Sequence, residues 1–215
     1  MKALPQSLAF AVVAVAALGC PAKQDGVRHQ AEVAIPVASQ APASRWNPTF
    51  TDIEGQTHRP CDEPNVKAIA LVFILTDCPI SNSYIPALNR LHAAFEPRGV
   101  RLFLVHADAS VTAEQAREHA RQYEIRAPVI LDPQHVWVKQ AGATRTPEAV
   151  VFSPAEEVLY RGRIDDQYVG VGQRRTQVTS HDLEEALSAI LAGKPAPQPI
   201  TEAVGCFIPE LPRGE

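Results

Sequence analysis

The stretch AIALVFILTDCPISNSY, residues 68–84, decides the fold. Ala68 to Leu75 is an unbroken apolar run rich in Val, Ile and Phe, the pattern of a strand covered on both faces. Within three residues the chain changes character. Pro79 suits the first turn of a helix, where its fixed φ is already helical and its missing N–H is not needed. Ile85, Leu88, Leu91 and Phe95 then recur at helical spacing. Pro86 falls inside that pattern and predicts a kink, and Pro97 and Gly99 mark the end. A buried strand therefore feeds directly into a helix, with Cys78 at the junction. Ser81 stands where a Cys-x-x-Cys site would hold its second thiol.

Further elements follow on both sides. Phe50 to Gln56 reads as a short strand and turn. Val100–His106, VRLFLVH, is a second buried strand. Thr112-Ala113-Glu114-Gln115 is a capping box that opens a helix running to about Tyr123. Pro128–Leu131 is a short strand, and His135–Ala141 a short helix closed by Gly142. Glu148–Phe152 and Val158–Arg161 are strands joined by Ser153-Pro154-Ala155-Glu156, and Asp182–Leu191 is a final amphipathic helix. The early strands alternate with helices and should be parallel with right-handed crossovers. The turn after Phe152 is too short for a crossover and demands an antiparallel hairpin. The expected fold class is α/β, a central mixed sheet flanked by helices. The same turn argues against an all-parallel, flavodoxin-like sheet.

The 215-residue length, with 46% hydrophobic and 20% charged residues, fits one globular domain with extensions. A net charge of −4 without any Lys/Arg cluster excludes a nucleic-acid surface. Residues 1–20 carry one early Lys and an apolar run from Leu8 to Leu18. That run is too short for a membrane-spanning helix of about 20 residues and fits a secretory signal. It ends Ala17-Leu18-Gly19-Cys20, similar to a bacterial lipobox but with Ala17 where Leu is usual. Cys20 is expected to carry a lipid, with ordinary signal-peptidase cleavage nearby as the alternative. Residues 21–47, rich in Ala, Pro, Gln and Ser, should form a disordered tether. The domain is expected over 48–192. A Pro-rich tail, 193–215, begins with KPAPQPI and carries Cys206. The expected location is the periplasmic side of a bacterial cell envelope, anchored to the membrane, where disulfides persist.

The thiolate is the reactive form of cysteine, and its free pKa is about 8.5. A cysteine at a helix N-terminus meets unsatisfied N–H groups and the positive end of the dipole, which lower a thiol to roughly 3.5–7.5. Cys78 should occupy the N-cap, with amides near Ile80 and Ser81 facing its sulfur and the Ser81 hydroxyl adding a donor. Asp77 opposes them, because a neighbouring carboxylate disfavours a thiolate.

In these features the chain resembles the thioredoxin-fold redoxins of the alkyl hydroperoxide reductase/thiol-specific antioxidant and thioredoxin-like group. The resemblance spans about residues 48–192. It rests on Cys78-Pro79 between the central strand and its helix, Pro86 inside that helix, Thr146-Pro147 before the hairpin, and Tyr160-Arg161-Gly162 at its close. It implies a cis Thr146–Pro147 bond against Cys78, presenting the Thr146 backbone to a substrate chain. It also places Pro79 at the site and brings the loop Arg161–Asp166, RGRIDD, beside the active cysteine, with Arg163 as the candidate cation on the substrate side. The tail sequence Ala203-Val204-Gly205-Cys206 is similar to tails of some bacterial redoxins with the same D-C-P-I start.

A lone thiol that forms a mixed disulfide or a sulfenic acid needs something to resolve it. Cys61 precedes the central strand, and at about 3.3 Å per residue the strand would separate it from Cys78 by roughly 25 Å. A disulfide needs Cα atoms within about 7 Å. Cys206 has no such restriction and is the expected resolving cysteine, with a structural Cys61–Cys206 bridge as the alternative.

The leading functional reading is an extracytoplasmic thiol–disulfide oxidoreductase acting on protein thiols or disulfides. One alternative is a thiol peroxidase acting on a small hydroperoxide. Such enzymes carry P-x-x-x-T-x-x-C, whereas here Thr76 stands two residues before Cys78 and no proline precedes it. The other is a non-enzymatic binding lipoprotein on a thioredoxin scaffold. No cofactor is expected. No metal is expected either, since the seven histidines and the cysteines show no ligand spacing.

Overall fold

The computed structural model describes residues 47–211. The signal segment with Cys20 lies outside the described residues, as does the tether up to residue 46.

Five strands form the central sheet, in the order β5-β4-β3-β7-β8. They are β3 (Ala68–Ile74), β4 (Val100–His106), β5 (Val129–Leu131), β7 (Glu148–Phe152) and β8 (Val158–Gly162). β3 pairs in parallel with β4, and β4 with β5. β3 pairs antiparallel with β7, and β7 with β8. The sheet is therefore mixed and thioredoxin-like, and the fold class is α/β. Every residue of β3 is buried, as its unbroken apolar sequence requires of a central strand covered on both faces.

Helices α1 (Pro79–Phe95), α2 (Ala113–Gln122), α3 (Val136–Ala141) and α4 (Asp182–Leu191) complete the frame. α2 opens with the expected capping box, Thr112 and Gln115 each bonding the other's backbone N–H. α3 closes on Gly142 at φ 65°, the left-handed region that glycine enters without penalty. α1 buries Ile80, Ser81, Tyr84, Ile85, Leu88, Leu91 and Phe95, the face its 3.6-residue period presents to the sheet. It continues through Pro86 as a single helix. The ring removes only one backbone donor, and the buried face on both sides holds the turns together.

Three small features were not anticipated. Phe50–Thr51 (β1) and Thr57–His58 (β2) form a hairpin where one strand and a turn were expected. Tyr168–Gly170 (β9) and Gln173–Arg174 (β10) form another on the far side of the loop after β8. Arg145–Thr146 (β6) pairs antiparallel with Cys206–Phe207 (β11). This last pairing folds the described part of the tail, up to residue 211, back onto the domain. On its way the tail bridges Ile200 to Arg161 of β8.

Leu88 is fully buried on α1 and helps to fix the helix to the sheet. Leu88→Ala is expected to destabilise the protein by about 2–5 kcal/mol. In urea the unfolding midpoint should fall with an unchanged slope, and a loss under about 1 kcal/mol would contradict this packing.

Candidate active site

Three segments converge on the sulfur of Cys78. The first is the start of α1. Cys78 is the N-cap, with extended φ/ψ of −83° and 109°, and its sulfur accepts the Ser81 amide at 3.5 Å. The sequence places a thiol here because β3 ends at Ile74 and Pro79 enforces a helical first turn, so the strand-to-helix junction falls on residue 78. The Ser81 hydroxyl is fully buried. It falls short of hydrogen-bond geometry to any partner but lies against the sulfur and favours its thiolate.

The second segment is β6 with the proline that follows it. The Thr146–Pro147 peptide is cis, and the Thr146 carbonyl accepts the Cys78 thiol at 3.4 Å. Thr146 is fully buried, and its own hydroxyl has no partner among the described residues. Beneath it lies Glu148, a carboxylate buried at the start of β7. Glu148 accepts the Thr144 and Arg145 amides at 2.8 and 3.2 Å and faces the Arg161 guanidinium at 3.2 Å. An acidic residue opening an otherwise apolar strand was the sequence signal for this brace, and it was missed.

The third segment is the tail. Cys206 pairs opposite Thr146, whose carbonyl accepts the Cys78 thiol, and this places the Cys206 thiol and backbone amide close enough to act on the Cys78 sulfur. Cys61 lies elsewhere, its sulfur 3.8 Å from the Pro154 carbonyl in the β7–β8 turn. Cys61, Cys78 and Cys206 are all free thiols.

The two facing thiols differ electrostatically. Burial pushes Cys78 up, but contacts from the Cys206 thiol, the Ser81 hydroxyl and the amides of both residues outweigh it, leaving Cys78 below the ordinary thiol range. Cys206 is pushed up to about 12 by burial first, then by its bond to Cys78, the Cys78 charge and the Asp77 carboxylate. Asp77 was expected to oppose the Cys78 thiolate, yet its charge bears on Cys206. One sulfur is thus favoured as the thiolate, and the other holds its proton.

The RGRIDD loop is built differently from what the resemblance implied. Arg163 was expected as a cation facing substrate, but its guanidinium grips Asp182 at the start of α4, at 2.9 and 3.1 Å. Asp165 accepts the Tyr84 hydroxyl at 2.5 Å. Asp166 accepts the Thr179 and Ser180 amides at 2.8 and 3.1 Å. These side chains hold the loop, and it is the Arg163 backbone that meets the tail, donating to Thr201 Oγ1 at 3.0 Å.

A further support was not foreseen. Asn82 donates to the Thr76 carbonyl at 2.9 Å and accepts from His119 at 2.9 Å, tying the turn before Cys78 to α2. Beside His119 lies His106, its ring centroid 5.1 Å away, fully buried and with both nitrogens unpartnered among the described residues. Burial, followed by the neighbouring His119, pushes His106 down to about 3, and burial also lowers His119. At neutral pH the His106 ring is uncharged, and burial disfavours the charged form of His119. Among the described residues no cluster of His, Cys, Asp or Glu has the makings of a metal site.

The AhpC/TSA family matches residues 37–163, more than half of the chain, and the protein belongs to that family. Cys206 lies beyond the matched residues. An uncharacterised conserved protein from Geobacillus kaustophilus has a similar structure, at 24% identity and a TM-score of 0.68, covering 80% of this chain and 94% of its own. A hypothetical protein from Sinorhizobium meliloti 1021 is similar at 23% identity and a TM-score of 0.64, covering 76% and 90%. No curated protein matches the chain.

Two substitutions separate the donor effect of Cys206 from its bulk. Cys206→Ser keeps a hydroxyl donor beside the Cys78 sulfur, and Cys206→Ala removes it. Only the thiolate reacts with iodoacetamide, so a lower pKa moves the midpoint of the alkylation–pH curve to lower pH. Cys78 in the Ser variant should have its midpoint below that in the Ala variant, and both below a free cysteine at about 8.5. Coincident curves would show that the residue 206 donor does not stabilise the thiolate.

Proposed function

We propose that this protein is an extracytoplasmic thiol–disulfide oxidoreductase in which Cys78 attacks and Cys206 resolves. The placement of Cys206 opposite Thr146, whose carbonyl accepts the Cys78 thiol, carries the reading, and the two thiols lie on opposite sides of the ordinary range. In the reduced protein the Cys78 thiolate attacks one sulfur of a partner disulfide. A Cys78 mixed disulfide forms, and the other partner sulfur leaves as a thiolate and takes up a proton. The Cys78 sulfur no longer carries charge, so one of the causes that held the Cys206 proton disappears. Cys206 then loses its proton, and its thiolate attacks the Cys78 sulfur. The Cys78–Cys206 disulfide forms, and the remaining partner sulfur departs as a thiolate and is protonated. An external dithiol returns the pair to the reduced state.

The setting outside the cytoplasm rests on the signal-like residues 1–20 and on Cys20 as the lipid attachment site. No helix among the described residues is long and apolar enough to cross a membrane; in this reading a lipid on Cys20 provides the attachment. Thiol peroxidase is the second reading, favoured by membership of the AhpC/TSA family. Against it stands Thr76, one position too close to Cys78, with its carbonyl engaged by Asn82. A purely binding role leaves the paired thiols without a purpose.

Turnover of a disulfide-bonded reporter protein in the presence of dithiothreitol tests the reading. Cys78→Ser should abolish activity above the uncatalysed rate. Cys206→Ser should lower it more than about tenfold, or about 1.4 kcal/mol, and, when the reduced variant meets the reporter without dithiothreitol, leave a mixed disulfide at Cys78 visible by mass. Full activity in Cys206→Ser would remove the resolving role, and activity in Cys78→Ser would overturn the whole reading.

A further inference from the structure

The tail is seated on the domain in two parts. The first, Pro199–Thr201, is fastened to β8. The Pro199 carbonyl accepts the Arg161 amide and the Thr201 amide donates to the Arg161 carbonyl, both at 2.9 Å. The Thr201 hydroxyl also meets the Tyr160 hydroxyl at 2.8 Å. Gly162 makes this approach possible, since a side chain there would overlap Thr201.

The second part, Gly205–Ile208, lies along β6. It has the short β6–β11 pairing and an Ile208 amide bond to the Thr144 carbonyl at 3.2 Å. The Arg145 guanidinium sits 4.1 Å over the Phe207 ring and 3.4 Å from the Gly205 carbonyl. Phe207 is 70% exposed. Gly205 rests on the Thr146 carbonyl so closely that any Cβ would overlap it, and Pro147 lies at 3.3 Å from the same point.

This strand covers the backbone edge next to the Cys78 sulfur. An extended polypeptide that brought a disulfide to Cys78 would bond to that same edge, because an unpaired strand edge is a template for an added strand. Only one chain fits there at a time. We propose that residues 202–208 are a built-in strand that occupies the β6 edge in place of an extended, disulfide-bearing polypeptide. This segment lifts to let such a partner reach Cys78 and reseats to displace it. The anchor at Pro199–Thr201 keeps Cys206 nearby while the segment is lifted, so its return is an intramolecular event at high effective concentration. Resolution of the mixed disulfide and release of the partner chain are then one movement.

The inference rests on the oxidoreductase reading, and the test separates the two. In a Cys206→Ser background, where the first exchange cannot be resolved, Cys78 is offered two activated disulfides. One is free cysteine carrying thionitrobenzoate, and the other is a short unstructured peptide whose single cysteine carries the same group. Thionitrobenzoate release gives the rate, and mass mapping assigns it to Cys78. Adding Gly205→Ala, which unseats the strand, should raise the peptide rate about tenfold, the effect of weakening the seat by about 1.4 kcal/mol, and the free-cysteine rate by less. Phe207→Ala, an exposed position outside the core, should act in the same direction. A peptide rate that neither substitution raises, while the free-cysteine probe still reacts, overturns the built-in strand and leaves the oxidoreductase reading standing. Failure of Cys78 to react with either probe in every variant overturns both.

Discussion

The antiparallel contact between Cys206 and Thr146 is the interaction on which the site depends. Without it, Cys78 is a lone thiol at the mouth of α1. With it, a second sulfur reaches the first across a chain separation that no local motif spans. The contact exists because two glycines allow backbone to lie against backbone, Gly162 under Thr201 and Gly205 over Thr146. At both places a methyl group would meet backbone atoms, which cannot swing aside as a flexible side chain can. The pairing therefore has steric conditions of its own, separate from the thiol chemistry it serves.

Around this contact the fields acting on the two sulfurs differ. The Ser81 amide and hydroxyl face Cys78, while Asp77 acts on Cys206. The donors come from the first turn of α1, whose N–H groups have no helical partner of their own. The surroundings are fixed rather than charged. Glu148 holds the Thr144 and Arg145 amides from below, Asn82 holds the Thr76 carbonyl, and His119 is lowered by burial. The difference between the two sulfurs thus comes from burial and the Asp77 charge at Cys206 and from the donors around Cys78, with Arg163 withdrawn to Asp182.

Much of the frame was legible because its signals are local. β4 and α4 fall on the expected residues, and β3 stops one residue short of the apolar run, since burial pattern, caps and turn chemistry act over a few residues. Cys78 at the N-cap and Ser81 facing it followed from helix geometry alone. β6 and β11 were not legible. Each is two residues long, too short for any periodicity, and they meet across sixty residues of chain. The sequence allowed Cys206 to reach Cys78 but did not fix the register that brings it there. Arg163 was assigned by its position in the chain, whereas its partner Asp182 lies on the next helix. The β9–β10 hairpin was missed because Val169 and Val171 are more than half exposed and leave no buried-face pattern.

The most direct measurement is disulfide mapping of the protein by peptide mass under non-reducing conditions, before and after mild oxidation. The account predicts a Cys78–Cys206 disulfide that forms on oxidation and is reversed by dithiothreitol, with Cys61 remaining a free thiol beside the β7–β8 turn. A Cys61–Cys206 bridge with Cys78 still free would contradict it.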